Sequence, residues 1–291
     1  MSSTDITAVI PTSGRPTLRR AVRSVLRQTR PTAPLVVLDD PDALSTVRRR
    51  LDGLDYGLVL TAGRRGAAEA RNLGARLAET PYVAFLDDDD EWLSDKSRLQ
   101  VPDAADGTVA SCRAMLVGST SRIVPEQIYR SRTTAENLAD YVLDRSTIRL
   151  SRHFMQTSSL FCTRQAVMEV PWADGLRRHQ DWDWLIRLET AGFSIRQRSD
   201  VLVRVFQGSH GSVSRSSDWK ASRAWLESLG QRASQQAAGD FLASVVARGA
   251  FQSGAWGQGA RTLMQSLRGG AHRSAVLVGM SGMMPRGGSR G

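Results

Sequence analysis

Short apolar runs alternate with amphipathic stretches through the first hundred residues. Residues 6–10 (Ile-Thr-Ala-Val-Ile) form an apolar run that Pro11 ends, the signature of a short buried strand. Helical spacing then takes over, because Leu18, Ala21, Val22, Val25 and Leu26 fall on one face. Pro16 or Thr17 can open that helix, and Pro31 with Pro34 closes it. Leu35-Val36-Val37-Leu38 reads as a second strand, ended by Asp39-Asp40-Pro41. A helix at about 42–52 follows, then a third strand from Tyr56 to Leu60. Gly66 precedes a helix with Ala70, Leu73 and Leu77 on one side. Pro81 starts the fourth strand, Tyr82 to Leu86, which runs directly into four aspartates, Asp87 to Asp90. This β-α-β-α-β-α-β order predicts an α/β fold with a mostly parallel, doubly wound sheet flanked by helices and right-handed crossovers.

The second hundred residues have another texture. Thr108–Val117 and Ser121–Val124 read as strands around Gly118-Ser119. Thr133-Thr134-Ala135-Glu136 is a capping-box pattern opening a helix to about Leu143. Ser158–Cys162 reads as a strand, followed by a short helix from Thr163 and a turn at Pro171-Trp172-Ala173-Asp174-Gly175. A helix from Asp181 stops at Gly192, and Ile195 to Phe206 holds one or two strands. From about 218 the chain is mostly helical. Ala275 to Met284 is apolar but too short and too glycine-interrupted to span a bilayer; packing on the domain is favoured over grazing a membrane.

The 291 residues are 41% hydrophobic, enough for a buried core. Cys112 and Cys162 lie far apart with no metal-type spacing, so reduced core thiols are expected. The start has neither a basic nor an apolar leader region, which points to a cytoplasmic location. The net charge is +10, carried almost wholly by arginine, since Lys96 and Lys220 are the only lysines. That charge suits steering of an anionic substrate or attraction to an anionic membrane surface. No nucleic-acid motif occurs. The absence of GxGxxG after the first strand and of GxxxxGK[ST] anywhere disfavours a dinucleotide-binding domain and a P-loop NTPase.

Four like charges cannot continue into a core, so the chain must emerge at Asp87. In an open α/β sheet the carboxyl ends of the strands are where ligands bind. A cluster of hard oxygens there suggests a divalent cation and a phosphate-bearing substrate. Carboxylates at i and i+2 on an extended turn can face one ligand, whereas Asp90 reads as a solvated residue at a helix start.

Several motifs in order resemble the family 2 glycosyltransferases, which have the GT-A fold and invert the anomeric centre. They are Val9-Ile10-Pro11-Thr12 with Arg15; Val36-Val37-Leu38-Asp39-Asp40; Gly66 with Ala70-Arg71-Asn72; Phe85-Leu86-Asp87-Asp88-Asp89; and Gln180-Asp181 opening an aromatic helix. Together they span about residues 5–210. The resemblance implies a nucleotide-diphosphate sugar donor, most simply a UDP-sugar, a Mg²⁺ or Mn²⁺ ion, and a hydroxyl acceptor that is a glycan, a lipid-linked sugar or a small molecule. It assigns Asp89 to the metal, Asp87 and Asp88 to the ribose and metal waters, and Asp40 to the base. Pro11, Thr12, Arg15 and Arg71 would line the nucleotide, and Asp181 would be the catalytic base. The family usually writes Glu-Asp where this chain has Gln180-Asp181, which removes the first carboxylate and keeps the second. Asp183 faces elsewhere on the helix. Trp172, Trp182 and Trp184 surround this point, and one of them could stack on a sugar. His210 falls where many relatives carry a loop histidine near the metal, and Arg215 could reach the diphosphate. The implied organisation is a donor half (1–102), an acceptor and catalytic half (103–217) and a helical C-terminal extension (218–291), whose basic character would allow peripheral contact with the inner face of a membrane. Two rival readings are a nucleotidyltransferase of related fold, for which Pro11-Thr12-Ser13-Gly14-Arg15 is a poor activation loop, and a non-catalytic nucleotide-sugar or glycan-binding module.

Overall fold

The computed structural model describes residues 4–105, 107–130, 137–149, 152–208 and 218–284. The chain divides into two compact units. The first takes in residues 1–131, 154–175 and 180–210; the second takes in 132–153, 176–179 and 211–291.

In the first unit the strands are β1 (Ile6–Thr12), β2 (Ala33–Leu38), β3 (Gly57–Leu60), β4 (Tyr82–Phe85), β5 (Glu91–Trp92), β6 (Thr108–Val117), β7 (Arg122–Val124), β8 (Phe161–Thr163) and β9 (Ser194–Phe206). The helices, in chain order, are α1 (Leu18–Leu26), α2 (Leu44–Arg50), α3 (Ala67–Leu77) and α4 (Lys96–Gln100), then α5 (Leu138–Leu143) of the second unit, then α6 (Arg164–Glu169) and α7 (Gln180–Thr190) of the first. One sheet runs β3-β2-β1-β4-β8-β6-β9-β5, with β7 paired to β6. The expected α/β fold is therefore present. Its first four strands are all parallel, each crossing over through a helix. From β8 onward the sheet is mixed, because β8 runs antiparallel to both β4 and β6 while β9 is parallel to β6.

The reason for the parallel half lies in burial. Every residue of β1 is buried, as a strand covered on both faces requires. α1 covers one face with Leu18, Ala21, Val22 and Val25, all fully buried. Burial of the leucine and each valine contributes roughly 1.5–3 kcal/mol. α3 packs so closely on the sheet that a Cβ at Gly74 would sit 2.4 Å from Val9 Cγ1. Trp172 and Trp184 stack at 4.4 Å, and Phe85 meets both edge-on. Cys112 and Cys162 are free, buried thiols, as expected.

Several local readings change. The expected strand Ser158–Cys162 is a 3₁₀ turn at Thr157–Ser159 followed by β8, because Gln156 caps that turn by accepting from Ser158 N. The capping-box residues 133–136 lie outside the described residues, and α5 is capped by Asn137, whose side chain accepts from Asp140 N.

The second unit is helical. After α5 it contains α8 (Trp219–Leu229), α9 (Gln235–Phe241), a π-helical turn (Leu242–Ala247) leading into α10 (Arg248–Gln252), α11 (Trp256–Arg268) and α12 (Arg273–Met280). Asp240, fully buried at the end of α9, accepts hydrogen bonds from the backbone N–H groups of Arg145 and His272, and its Oδ2 lies 2.8 Å from His272 Nδ1. A buried carboxylate needs such partners, and here they tie two loops to one helix. Among the described residues no helix is long and apolar enough to cross a membrane.

Candidate active site

The site is built at the carboxyl ends of β1 and β4 in the first unit. β4 is buried from Val83 to Phe85 and Leu86 follows it inside, so the chain leaves the core at Asp87. The four aspartates then separate by partner. Asp87 Oδ1 accepts from Arg71 Nη2 at 2.8 Å, and Oδ2 from Gln156 Nε2 at 3.2 Å. Asp88 is buried; its Oδ2 accepts from Thr12 Oγ1 at 2.5 Å, and its Oδ1 lies 3.4 Å from Arg15 Nη1. The same Arg15 nitrogen donates to Asp89 Oδ2 at 2.9 Å, while Arg20 holds the Asp89 carbonyl and rests over the Phe206 ring at 3.7 Å.

Asp90 corrects the sequence reading. It is 2% exposed rather than solvated. Its carboxylate accepts from Ser158 Oγ at 2.6 Å, Gln156 Nε2 at 2.8 Å and Phe206 N at 3.2 Å. Residues 91–92 form a strand instead of opening a helix, which turns Asp90 inward. Gln156 and Ser158 are thus site residues that sequence reasoning missed. The polar run Gln156-Thr157-Ser158-Ser159 ahead of an apolar strand was the available signal.

Burial sets the electrostatics. It pushes Asp88 up to about 6, against the hydrogen bond from Thr12 and the charge of Arg15. Burial also pushes Asp90 well above the usual carboxylate range, and the negative charge of Asp87 adds to this.

Gln180, the neighbour of Asp181, is joined to this cluster through one guanidinium. Arg71 is buried, lies 4.7 Å over the Trp172 ring, and donates with Nη2 to Asp87 and with Nη1 to Gln180 Oε1, each at 2.8 Å. The first turn of α7 is thereby pinned beside the end of β4. Asp181 Oδ1 accepts from Trp182 N at 3.0 Å. Burial pushes Asp181 up to about 6, with Asp87 raising it further while Trp182 N–H and the Arg71 charge oppose. Asp183 is engaged elsewhere, 2.8 Å from Arg187.

The remaining expected residues are distributed as follows. Pro11 and Thr12 end β1, with the Thr12 hydroxyl engaged by Asp88 and by Gly14 N. Asp40 ends the β2 segment and accepts from Asp42 N at 3.3 Å. Its neighbour Asp39 pins the loop before α3 by accepting from Thr61, Arg65 N and Gly66 N. Trp172 and Trp184 are core residues, which removes them as sugar platforms; Trp182 is half-buried and donates to Met155 O at 3.2 Å. His210 and Arg215 lie outside the described residues.

The donor set fits a hard divalent cation. It consists of carboxylate oxygens, and the Asp87 and Asp89 side chains keep 29% and 15% of their surface open to solvent. A positive group, Arg15, already rests against Asp88 and Asp89.

The model of Glycosyl transferase family 2 matches residues 7–170, more than half of the chain. The chain belongs to this family. It is an α/β glycosyltransferase of the GT-A type, with relatives in polysaccharide synthesis. It is 28% identical over 210 residues to the amylovoran biosynthesis glycosyltransferase AmsB of Erwinia amylovora, covering 67% of each chain. It is 34% identical over 87 residues to the UDP-Glc:alpha-D-GlcNAc-diphosphoundecaprenol beta-1,3-glucosyltransferase WfgD of Escherichia coli, a match that spans 29% of this chain and 34% of that one. In fold it resembles S. aureus TarS 1–349 in complex with UDP-GlcNAc, with a TM-score of 0.62 at 15% identity over 90% of this chain and 79% of that one. It also resembles the mannosyltransferase PcManGT of Pyrobaculum calidifontis in complex with GDP-Man and Mn²⁺, with a TM-score of 0.52 at 16% identity over 96% and 73%.

Proposed function

We propose that the protein is a metal-dependent inverting glycosyltransferase that moves a sugar from a nucleotide diphosphate, most simply UDP, to a hydroxyl acceptor. The observation that carries this reading is the Arg71 bridge from Asp87 to Gln180, which keeps Asp181 beside the aspartate cluster. The UDP-GlcNAc of TarS, the UDP-Glc of WfgD, and the GDP-Man and Mn²⁺ of PcManGT support the donor class and the metal.

In this reading residues 1–102 form the donor half, with Pro11, Thr12, Asp40 and Arg71 around the nucleotide. Residues 103–217 supply the base and acceptor pocket. Asp89, with Asp87, would hold the Mg²⁺ or Mn²⁺, which when bound neutralises charge on the leaving diphosphate. Arg15 and Asp88 orient that loop. Asp181 takes the acceptor hydroxyl proton as its oxygen bonds to the anomeric carbon and the bond to the diphosphate breaks. One displacement inverts that carbon. A carboxylate raised toward 6 is ionised at neutral pH yet basic enough to share a proton.

The acceptor is proposed to be a lipid-linked glycan, as the diphosphoundecaprenol in the name of WfgD suggests. A cytoplasmic protein that meets the inner face of a membrane peripherally suits that acceptor. Thermal shift with a panel of nucleotides and nucleotide sugars, with and without Mn²⁺, tests the donor reading. Metal-dependent stabilisation by UDP or a UDP-sugar is expected; indifference to every nucleotide would refute it. Release of pyrophosphate would instead mark a nucleotidyltransferase.

A further inference from the structure

The peripheral membrane contact on which this inference rests requires a surface, and the last two helices offer one. From Phe241 to the end, the sequence has no acidic residue and six arginines. α11 buries Gly259, Thr262 and Ser266, one helical face. Its other side is not uniformly polar. Trp256, Ala260, Met264 and Leu267 recur at i, i+4, i+8 and i+11, forming a second, outward apolar stripe. Trp256, Met264 and Leu267 are each more than half exposed. Arg261 and Arg268 are exposed and next around the helix from that stripe.

α12 repeats the arrangement. It buries Ala275, Val278 and Gly279, and it exposes Arg273, Leu277 and Met280 on the opposite side. The two helices pack directly: a Cβ at Gly279 would meet Leu263 Cδ1 at 3.2 Å and Ala243 O at 2.7 Å. Leu263 is adjacent to Leu267 and Trp256 around α11, and Val276 and Met283 adjoin Gly279 around α12. The contact of Leu263 with Gly279 therefore lies beside the outward stripe of α11 and beside Val276 of α12.

We propose that this outward face of the α11–α12 hairpin docks on an anionic phospholipid bilayer. Trp256, Met264, Leu267, Leu277 and Met280 enter the interfacial layer, and Arg261, Arg268 and Arg273 engage the headgroups. A helix with an exposed apolar stripe, a tryptophan and an arginine margin binds in the plane of a bilayer by apolar burial plus attraction to anionic lipid. The complete absence of acidic residues from this stretch is what favours an anionic surface over an acidic-and-basic protein partner.

The test is co-flotation of the full chain with phosphatidylcholine vesicles, with and without phosphatidylglycerol. Binding is expected only with the anionic lipid, and it falls as salt rises. The triple variant Arg261→Glu, Arg268→Glu, Arg273→Glu should lose at least about 100-fold in partitioning, since each basic residue contributes about 5-fold. The pair Leu277→Ser, Met280→Ser, both at exposed positions, should weaken binding without changing its salt dependence. Wild-type flotation that is absent, or unchanged in both variants, overturns the proposal. So does a concentration-dependent dimer that the Leu277/Met280 variant abolishes, because a second copy then covers the face. All variants should keep the thermal shift with UDP and Mn²⁺. Loss of flotation with that shift intact removes the docking surface alone, whereas flotation without any nucleotide response removes the donor reading alone.

Discussion

Replacing Asp181 by Asn keeps the size of the side chain and the Oδ1 acceptor for Trp182 N, and it removes the proton-accepting carboxylate. Two consequences follow, in opposite directions. A general base contributes roughly 10²–10⁴-fold, so transfer should fall by that factor, about 3–5 kcal/mol of barrier. Stability should rise. Burial moves Asp181 from 3.8 to about 6. The folded protein therefore holds this proton more tightly than the unfolded chain does. As pH climbs from 3.8 through 6 the unfolded chain releases its proton first, so the wild type loses stability across that window. Two pKa units correspond to about 3 kcal/mol at most. Asp181→Asn should escape this cost, appearing about 1–3 kcal/mol more stable than wild type at pH 8 and nearly equal to it near pH 4. Urea denaturation at the two pH values reads the stability difference, and single-turnover transfer reads the rate. Undiminished transfer would remove Asp181 from the mechanism. A stability advantage over wild type no larger at pH 8 than at pH 4 would show that the carboxylate is not desolvated.

Three further outcomes follow from the same geometry. Gln180→Glu places a second negative charge between Arg71 and Asp181, which raises the base's pKa further; the acid limb of the pH–rate profile should move upward from about 6, and a profile that stays put or moves down would contradict the Arg71 bridge. Asp89→Ala should abolish the Mn²⁺-dependent part of nucleotide binding, measured by calorimetry, while leaving the fold intact; equal metal dependence would assign the ion elsewhere. Lys96 is fully buried, with Nζ 4.1 Å over Trp92 and no hydrogen-bond partner among the described residues, and burial lowers it from 10.5 to about 8. Its charge destabilises the fold at neutral pH, and that cost fades as pH rises from 8 to 10.5. Lys96→Met should therefore stabilise by about 1–3 kcal/mol at pH 7 once the ring contact is allowed for, with a destabilised variant as the refuting result.

What was legible in the sequence was local. The runs at residues 6–10, 35–38 and 82–86 are apolar because strands in a parallel sheet are covered on both faces, and the helices between them show one apolar stripe each. The apolar strand had to end at Asp87 for the same reason, although Asp88 and Asp90 are buried by the partners they meet there. What could not be read depends on chain segments far apart. Asp90 looks like any surface acid until Ser158, Gln156 and the Phe206 amide, more than sixty residues away, converge on it. Trp172 and Trp184 sit near Asp181 in sequence, yet their stacking on each other and their edge contacts with Phe85 belong to the core. Gln180 reads as a departure from the family pattern; only the position of Arg71 explains what an amide does there, since it accepts one guanidinium N–H and leaves the positive charge to Asp87 and Asp181. The antiparallel placing of β8 was equally hidden, because three residues carry no periodicity.

The central claim is a single displacement at the anomeric carbon with Asp181 as base, and the product's anomeric configuration tests it most directly. The protein would be supplied with Mn²⁺, an α-linked UDP-sugar that it turns over, and its acceptor, and the coupling constant of the new anomeric proton would be read by NMR from the earliest product. A β-linked product, lost in Asp181→Asn, is the predicted result. An α-linked product would contradict the account.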